Sequence, residues 1–229
     1  MGSAEAKPLH TPLLILISAP SGAGKTTLCQ NLIRADSGVH RVITCTTRSP
    51  RADEIQGKDY HFMSPQAFDK AFICGHFIEH AIVYGNQYGT RKQDIFHLLN
   101  KGHDVILNID VQGAASIRQY ASEDPYFAKH LITVFLAPPS LIELKKRLCG
   151  RAMNSNEDTV KRLKNAEREI AAWKHFDYLI TSGSPEEDLG NIRSIVDAER
   201  LRTARSVAPF SSSPRTTNLD GKTLMQPAP

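Results

Sequence analysis

Residues 19–26 read Ala19-Pro20-Ser21-Gly22-Ala23-Gly24-Lys25-Thr26, between an apolar run, Leu13 to Ile17, and a helical pattern from Thr27 to Ile33. A continuous run of branched apolar residues is the mark of a parallel strand buried on both faces. Gly22 and Gly24 permit the tight turn in which successive backbone N–H groups face one anion. Lys25 adds a point charge for the outer phosphates of a nucleotide, and Thr26 a hydroxyl suited to a magnesium ion. The helix that follows aims the positive end of its dipole at the same place. Ala19 stands where the strict eight-residue pattern begins with Gly. Strand, glycine turn, Lys-Thr and helix in this order predict a nucleotide-binding loop over residues 19–26.

The rest of the chain suits that reading. Its 229 residues are 41% hydrophobic and 23% charged, enough for the core of one medium α/β domain with small inserted subdomains. A formal net charge of +4 suits an anionic small-molecule substrate. It is too mild and too dispersed to suggest a nucleic-acid partner. The four cysteines, Cys29, Cys45, Cys74 and Cys149, form no Cys-x-x-Cys pair, so neither a disulfide framework nor a zinc site is expected. No apolar stretch has the length of a membrane span or the place of a signal peptide, which makes a cytoplasmic protein with no membrane partner the expectation.

Further apolar runs, Val105 to Ile109, Leu131 to Leu136 and Tyr178 to Ile180, read as buried strands, with helical periods such as Ala114 to Tyr120 between them. Such alternation predicts a parallel sheet with helices on both sides. Two stretches break the rhythm. Residues 42–90 are rich in turns, Tyr, Phe and short alternating runs, like a small strand-rich insertion. Residues 137–172 read as almost all helix and carry many Lys and Arg, with Ser155 and Asp158 spaced as a capping box. Residues 1–10 are a polar lead-in. The Ser-, Pro-, Thr- and Asn-rich stretch 205–229 reads as a disordered tail.

Within the insertion, Thr46-Thr47-Arg48-Ser49-Pro50-Arg51 sets two guanidinium groups beside hydroxyls, and the planar arginine fork is well matched to a phosphate. Tyr60 and Tyr88 offer phenolic donors. Downstream come Phe77-Ile78-Glu79, Gly85-Asn86-Gln87-Tyr88-Gly89-Thr90, Ile109-Asp110-Val111-Gln112-Gly113 and Ala137-Pro138-Pro139-Ser140. The order of these motifs, after the phosphate loop and with Gly57-Lys58-Asp59-Tyr60 among them, resembles that of guanylate kinases. These are P-loop nucleoside monophosphate kinases, and the likeness runs from about Leu13 to Arg200.

The resemblance implies a P-loop NTPase-like parallel sheet, a GMP-binding insertion at 42–90 and a helical lid within 137–172, all in a domain spanning residues 11–200. It implies transfer of the γ-phosphate of MgATP to GMP or dGMP, with Thr26 at the metal. Thr44, Arg48, Arg51, Tyr60 and Tyr88 fall where the family holds the GMP phosphate. Glu79, Thr90 and Asp110 fall where it reads guanine. Lys25 and the lid residues Arg147, Arg151 and Arg162 fall where it stabilises the transferring phosphoryl group. The chemistry of the base agrees. Guanine presents N1–H and an N2 amine, both donors, to which carboxylates answer as acceptors. Adenine has an acceptor at N1 and no N2 amine, and a site left with unpaired buried groups can discriminate by about 10⁴-fold.

The chain departs from the family pattern in places. Asn108 stands where many relatives carry an acid, Asp53 replaces a usual Gly, Met153-Asn154 alters the lid, and Ser182-Gly183 replaces an Asn-Asp near the adenine. An alternative of another class is a non-catalytic interaction module built on the same domain. The retention of Lys25 and the lid arginines speaks for the enzyme.

Overall fold

The structure, a computed structural model, describes residues 10–83, 85–149 and 166–206, with the backbone alone at 147–149. In chain order the elements are β1 (Leu14–Ser18), α1 (Lys25–Ala35), β2 (Val39–Arg41), β3 (Cys45–Thr46), β4 (His61–Phe62), α2 (Pro65–Ile73), β5 (Phe77–Val83) and β6 (Asn86–Arg91). There follow α3 (Lys92–Asn100), β7 (Asp104–Asn108), α4 (Val111–Glu123), α5 (Pro125–Ala128), β8 (Leu131–Ala137) and α6 (Leu141–Cys149). Helical residues 166–171 (α7), a 3-10 turn over Ala172–His175, β9 (Tyr178–Thr181) and α8 (Pro185–Arg200) follow among the described residues.

β1 is apolar at nearly every position because it is central. It pairs in parallel with β7 on one edge and β8 on the other, in a five-stranded parallel sheet of order β2-β7-β1-β8-β9. Its side chains alternate between two cores. Leu13, Ile15 and Ile17 pack with Leu28 and Leu32 of α1 and Ile192 and Val196 of α8. Leu14 and Leu16 pack on the other face with Ile95 of α3, Ile117 of α4 and Phe127 of α5. The chain leaves β1 for β2 on one side and later crosses from β7 to β8 on the other. The carboxyl end of β1 therefore opens at the point where the strand order reverses, the usual ligand crevice of open α/β sheets.

A second, four-stranded sheet of order β4-β3-β6-β5 is formed by the strands between Cys45 and Arg91. Its longest pairing is the antiparallel β5–β6 hairpin, and Phe68 of α2 stacks on Phe77 at 4.4 Å beneath it. The expected parallel sheet with flanking helices and a strand-rich companion is what the chain forms.

Local differences from expectation have physical causes. Helix α1 begins at Lys25 rather than Thr27, because Gly24 adopts a left-handed conformation (φ 103) that ends the loop abruptly. The basic stretch is not helical from its first residues: Ala137 ends β8, and helix starts at Leu141. The expected capping box at Ser155 lies outside the described residues. Arg205, assigned to the tail on composition, is buried. Its guanidinium binds Glu199 (2.9 Å) and the carbonyl oxygens of Lys129 and Leu131, and its own carbonyl accepts from Thr11 N–H. The remaining tail residues, 207–229, lie outside the described ones, as do residues 1–9. Among the described residues no helix is long and apolar enough to cross a membrane.

Asp104, at the start of β7, ties the layers together. Only 2% exposed, it accepts from Leu13 N–H at 2.6 Å and from Arg200 Nε at 2.8 Å, while Arg200 also meets Asp36 at 2.8 Å. Removing Asp104 leaves the Leu13 N–H without its acceptor and takes from Arg200 its most buried carboxylate partner. Asp104→Ala is expected to lower unfolding free energy by about 3 kcal/mol, measured by urea denaturation, whereas a change on the exposed surface such as Lys174→Ala stays within about 0.5 kcal/mol.

Candidate active site

At the end of β1 the chain turns through Gly22 (φ 87) and Gly24 (φ 103) straight into α1. No side chain caps the N-terminus of α1, so its positive end faces the loop. Residues 20–27 line a single cavity there. The Lys25 ammonium folds across the loop and donates to the carbonyl of Ala19 at 2.5 Å. The Ser21 N–H donates to Glu169 of α7 at 3.3 Å. That carboxylate is half-buried, and burial pushes its pKa up against the opposing pull of Ser21 N–H and Lys25. Asn108, at the end of β7, donates its amide N–H to Thr26 Oγ1 at 3.2 Å.

A second cavity opens beside it. Thr44, Tyr60, Glu79, Tyr88, Thr90 and Asp110 all line it: Glu79, Tyr88 and Thr90 come from the β5–β6 hairpin, Thr44 and Tyr60 from the segments just before β3 and β4, and Asp110 from the N-cap of α4. Glu79 and Thr90 are cross-strand partners in the β5–β6 hairpin, and the Thr90 hydroxyl donates to Glu79 Oε1 at 2.6 Å. Glu79 is 9% exposed. Burial raises its pKa above the usual glutamate range, the Thr90 bonds pull it down, and the charge of Asp110 raises it further. Asp110 caps α4, accepting from Gly113 N–H at 2.7 Å. Gly113 has to be small: a Cβ there would stand 2.4 Å from Ile109 Cγ2 and 3.3 Å from Glu79 Oε2.

Two phenols, Tyr60 and Tyr88, also line this cavity, and Arg48 packs on the first of them. Arg48 lies over the Tyr60 ring at 5.5 Å, and the rings of Tyr60 and Tyr88 meet edge to face at 6.1 Å. The Arg51 side chain is exposed and lines neither cavity, and its backbone N–H donates to Glu54 at 2.8 Å. The two cavities form one cleft, because Thr26 and Asn108 on the loop side share a lining with Thr44, Tyr60 and Thr90. A third hollow, behind the loop, is lined by Gly24, Thr27, Ser182 and Gly183, and Asp188 holds Ser182 Oγ and Gly183 N–H, each at 2.9 Å.

A glycine-rich loop thus adjoins a pocket lined by two carboxylates, Glu79 and Asp110, and two phenols, Tyr60 and Tyr88, with the Arg48 guanidinium against Tyr60. The profile of the guanylate kinase family matches residues 11–199. The chain belongs to the guanylate kinase family. It is 38% identical over 195 residues to the guanylate kinase of Paramagnetospirillum magneticum, covering 85% of this chain and 88% of that protein. It is 40% identical over 193 residues to the guanylate kinase of Clostridium tetani, covering 84% and 89%. The crystal structure of guanylate kinase from Anaplasma phagocytophilum superposes with a TM-score of 0.66 at 30% identity, over 88% of this chain and 92% of that one.

For a member of the guanylate kinase family, the site residues expected from sequence fall into three groups. Pro20 to Thr26 of the expected loop line one cavity, and Thr44, Tyr60, Glu79, Tyr88, Thr90 and Asp110 line the other, whereas Arg48 touches that pocket through Tyr60 and Arg51 does not line it. Arg147 lies on α6, whose backbone alone is described there, and Arg151 and Arg162 lie outside the described residues. Sequence reasoning missed Glu54, which bonds the Arg48 guanidinium at 2.7 Å, and Glu169 at the loop. An acid three residues after Arg51 is a weak local signal for the first; the second has none.

Since the fold raises the Glu79 pKa, its ionised form costs stability at neutral pH, and the cost fades as pH falls through the raised value. Glu79→Gln, which keeps an acceptor for Thr90, is expected to stabilise the free protein by about 1 kcal/mol at pH 7, read from denaturant unfolding, with the gain vanishing in acid.

Proposed function

We propose that the protein is an ATP:GMP phosphotransferase that makes GDP and ADP, with dGMP as a second acceptor. The observation that carries the reading is the single cleft in which a phosphate cradle adjoins a pocket bearing two carboxylates. The guanine edge lies against Glu79 and Asp110, which accept from N1–H and the N2 amine. Thr90 turns its hydroxyl from Glu79 toward O6. The acceptor phosphate is gripped by Arg48, Arg51, Tyr60, Tyr88 and Thr44. The ATP phosphates lie on the N–H groups of residues 19–26, with Lys25 released from the Ala19 carbonyl to meet the outer ones.

Magnesium fits this end of the cleft, since hydroxyl and amide oxygens suit a hard cation that keeps waters and phosphate oxygens as its other ligands. Thr26 would hold it, with the Asn108 carbonyl oxygen nearby. When bound it neutralises β- and γ-phosphate charge. Asn108 contributes no charge of its own, so this metal site leans more on the phosphates.

In the reaction an oxygen of the GMP phosphate bonds to the γ-phosphorus while the bond from that phosphorus to the β–γ bridging oxygen breaks, and ADP leaves. Charge spreads over the equatorial oxygens, so positioned cations matter more than a base. Lys25 supplies one, and Arg147, Arg151 and Arg162 the others. Closure of the lid over the phosphates would keep water from the γ-phosphate.

ADP formation from MgATP, with GMP, dGMP, AMP, CMP and UMP offered separately, tests the reading: turnover is expected with the guanine nucleotides alone, and turnover of AMP at a similar rate would refute it. Lys25→Ala should lower kcat by about 10²- to 10³-fold. The raised pKa of Glu79 predicts that KM for GMP climbs on acidification, as protonation removes an acceptor at a pH above the usual glutamate value. Glu79→Gln should show a higher KM at neutral pH and keep only the acid limb due to the GMP phosphate itself.

A further inference from the structure

We propose that Glu54 is a positioning residue that holds the acceptor-phosphate grip in its binding geometry before GMP arrives. The inference rests on the pocket being the GMP site. One carboxylate bridges both arginines of the grip: Oε1 accepts from Arg48 Nη2 at 2.7 Å and Oε2 accepts from the backbone N–H of Arg51 at 2.8 Å. The Glu54 N–H in turn donates to the Arg51 carbonyl at 3.1 Å, closing the turn on itself. The side chains of Arg48 and Glu54 are only 20% and 14% exposed, unlike a solvated surface pair.

Arg48 has further partners beside Glu54. Its Nη1 donates to the Ser49 carbonyl at 2.8 Å, and its guanidinium lies 5.5 Å from the Tyr60 ring centre and 5.9 Å from that of Phe62. A guanidinium has five N–H donors in a rigid fork, so this bracing does not exhaust it. Arg48 and Glu54 each stabilise the charged form of the other, which holds the carboxyl below its usual range and the guanidinium above its own.

An unbraced arginine at a turn samples many rotamers, and phosphate binding then has to order it. Glu54 does that ordering in advance through the side chain of Arg48 and the main chain of Arg51. It is too engaged with them to need any contact with the nucleotide. Its effect therefore belongs to the phosphate of GMP and not to the base.

That distinction is the test. Steady-state kinetics of Glu54→Gln and Glu54→Ala are compared with wild type, alongside competitive inhibition by guanosine, which carries the base and no phosphate. The expected result is a KM for GMP raised about tenfold, kcat within about twofold and an unchanged Ki for guanosine. In an Arg48→Ala background, Glu54→Ala should raise KM much less than it does alone, because its main client is gone. An unchanged KM in both variants overturns the proposal, as does a lowered one, which would make Glu54 a competitor of the phosphate. Equal weakening of GMP and guanosine also overturns it, by showing a collapsed pocket. If wild type neither turns over GMP nor is inhibited by guanosine, the assignment of the pocket falls, and this inference with it.

Discussion

The architecture depends on β1 being hydrogen-bonded along both edges. A strand paired with β7 and β8 and covered on both faces has no freedom of register, because a slip of one residue would exchange the side chains of its two cores. The carboxyl end of β1 is held as firmly, and that end releases the phosphate loop. The same ladder brings the end of β7 alongside, which is why Asn108 reaches Thr26. Asp104 reinforces the arrangement from the opposite end of β7, where it binds Leu13 N–H and Arg200.

Function is set against stability around this frame. The cleft collects carboxylates, Glu79, Asp110 and Glu169, in a place whose fold raises the pKa of two of them by burial. Such groups weaken the free protein and pay off only when donors arrive to meet them. Until then the structure supplies internal partners: Thr90 for Glu79, Gly113 N–H for Asp110, Ser21 N–H for Glu169 and Glu54 for Arg48. Each internal bond satisfies a polar group near the place where a nucleotide group would bind. The site is polar yet locally well ordered for that reason.

Much of this was legible in the chain. The loop at 19–26 could be read because its chemistry is local: glycines, Lys25 and Thr26 follow one another, and the strand and helix beside them have distinct periods. Glu79 and Asp110 were legible as acceptors only through the order of motifs around them, since a lone acid on a strand or before a helix has no special pattern. The early start of α1 was missed because a glycine's left-handed turn leaves no trace in apolar spacing. Arg205 was misread because a polar composition hides one arginine whose partners, Glu199 and the carbonyls of Lys129 and Leu131, come from other elements.

The sequence by itself determined that the chain would form a parallel α/β sheet with a phosphate loop after its first strand, because apolar period and glycine placement act within a few residues. It also limited the candidate acceptors and anion-binding groups to a few side-chain types, since donor and acceptor character is a property of the groups alone. Only the tertiary structure decided how those groups meet. Thr90 faces Glu79 through the register of the β5–β6 hairpin, Asn108 reaches Thr26 through the β1–β7 ladder, and Glu54 bridges Arg48 and Arg51 through the closure of one turn. A hydrogen bond is sensitive to tenths of an ångström and to direction. Geometry of that kind is set by packing and pairing between segments, which residue order constrains but does not display.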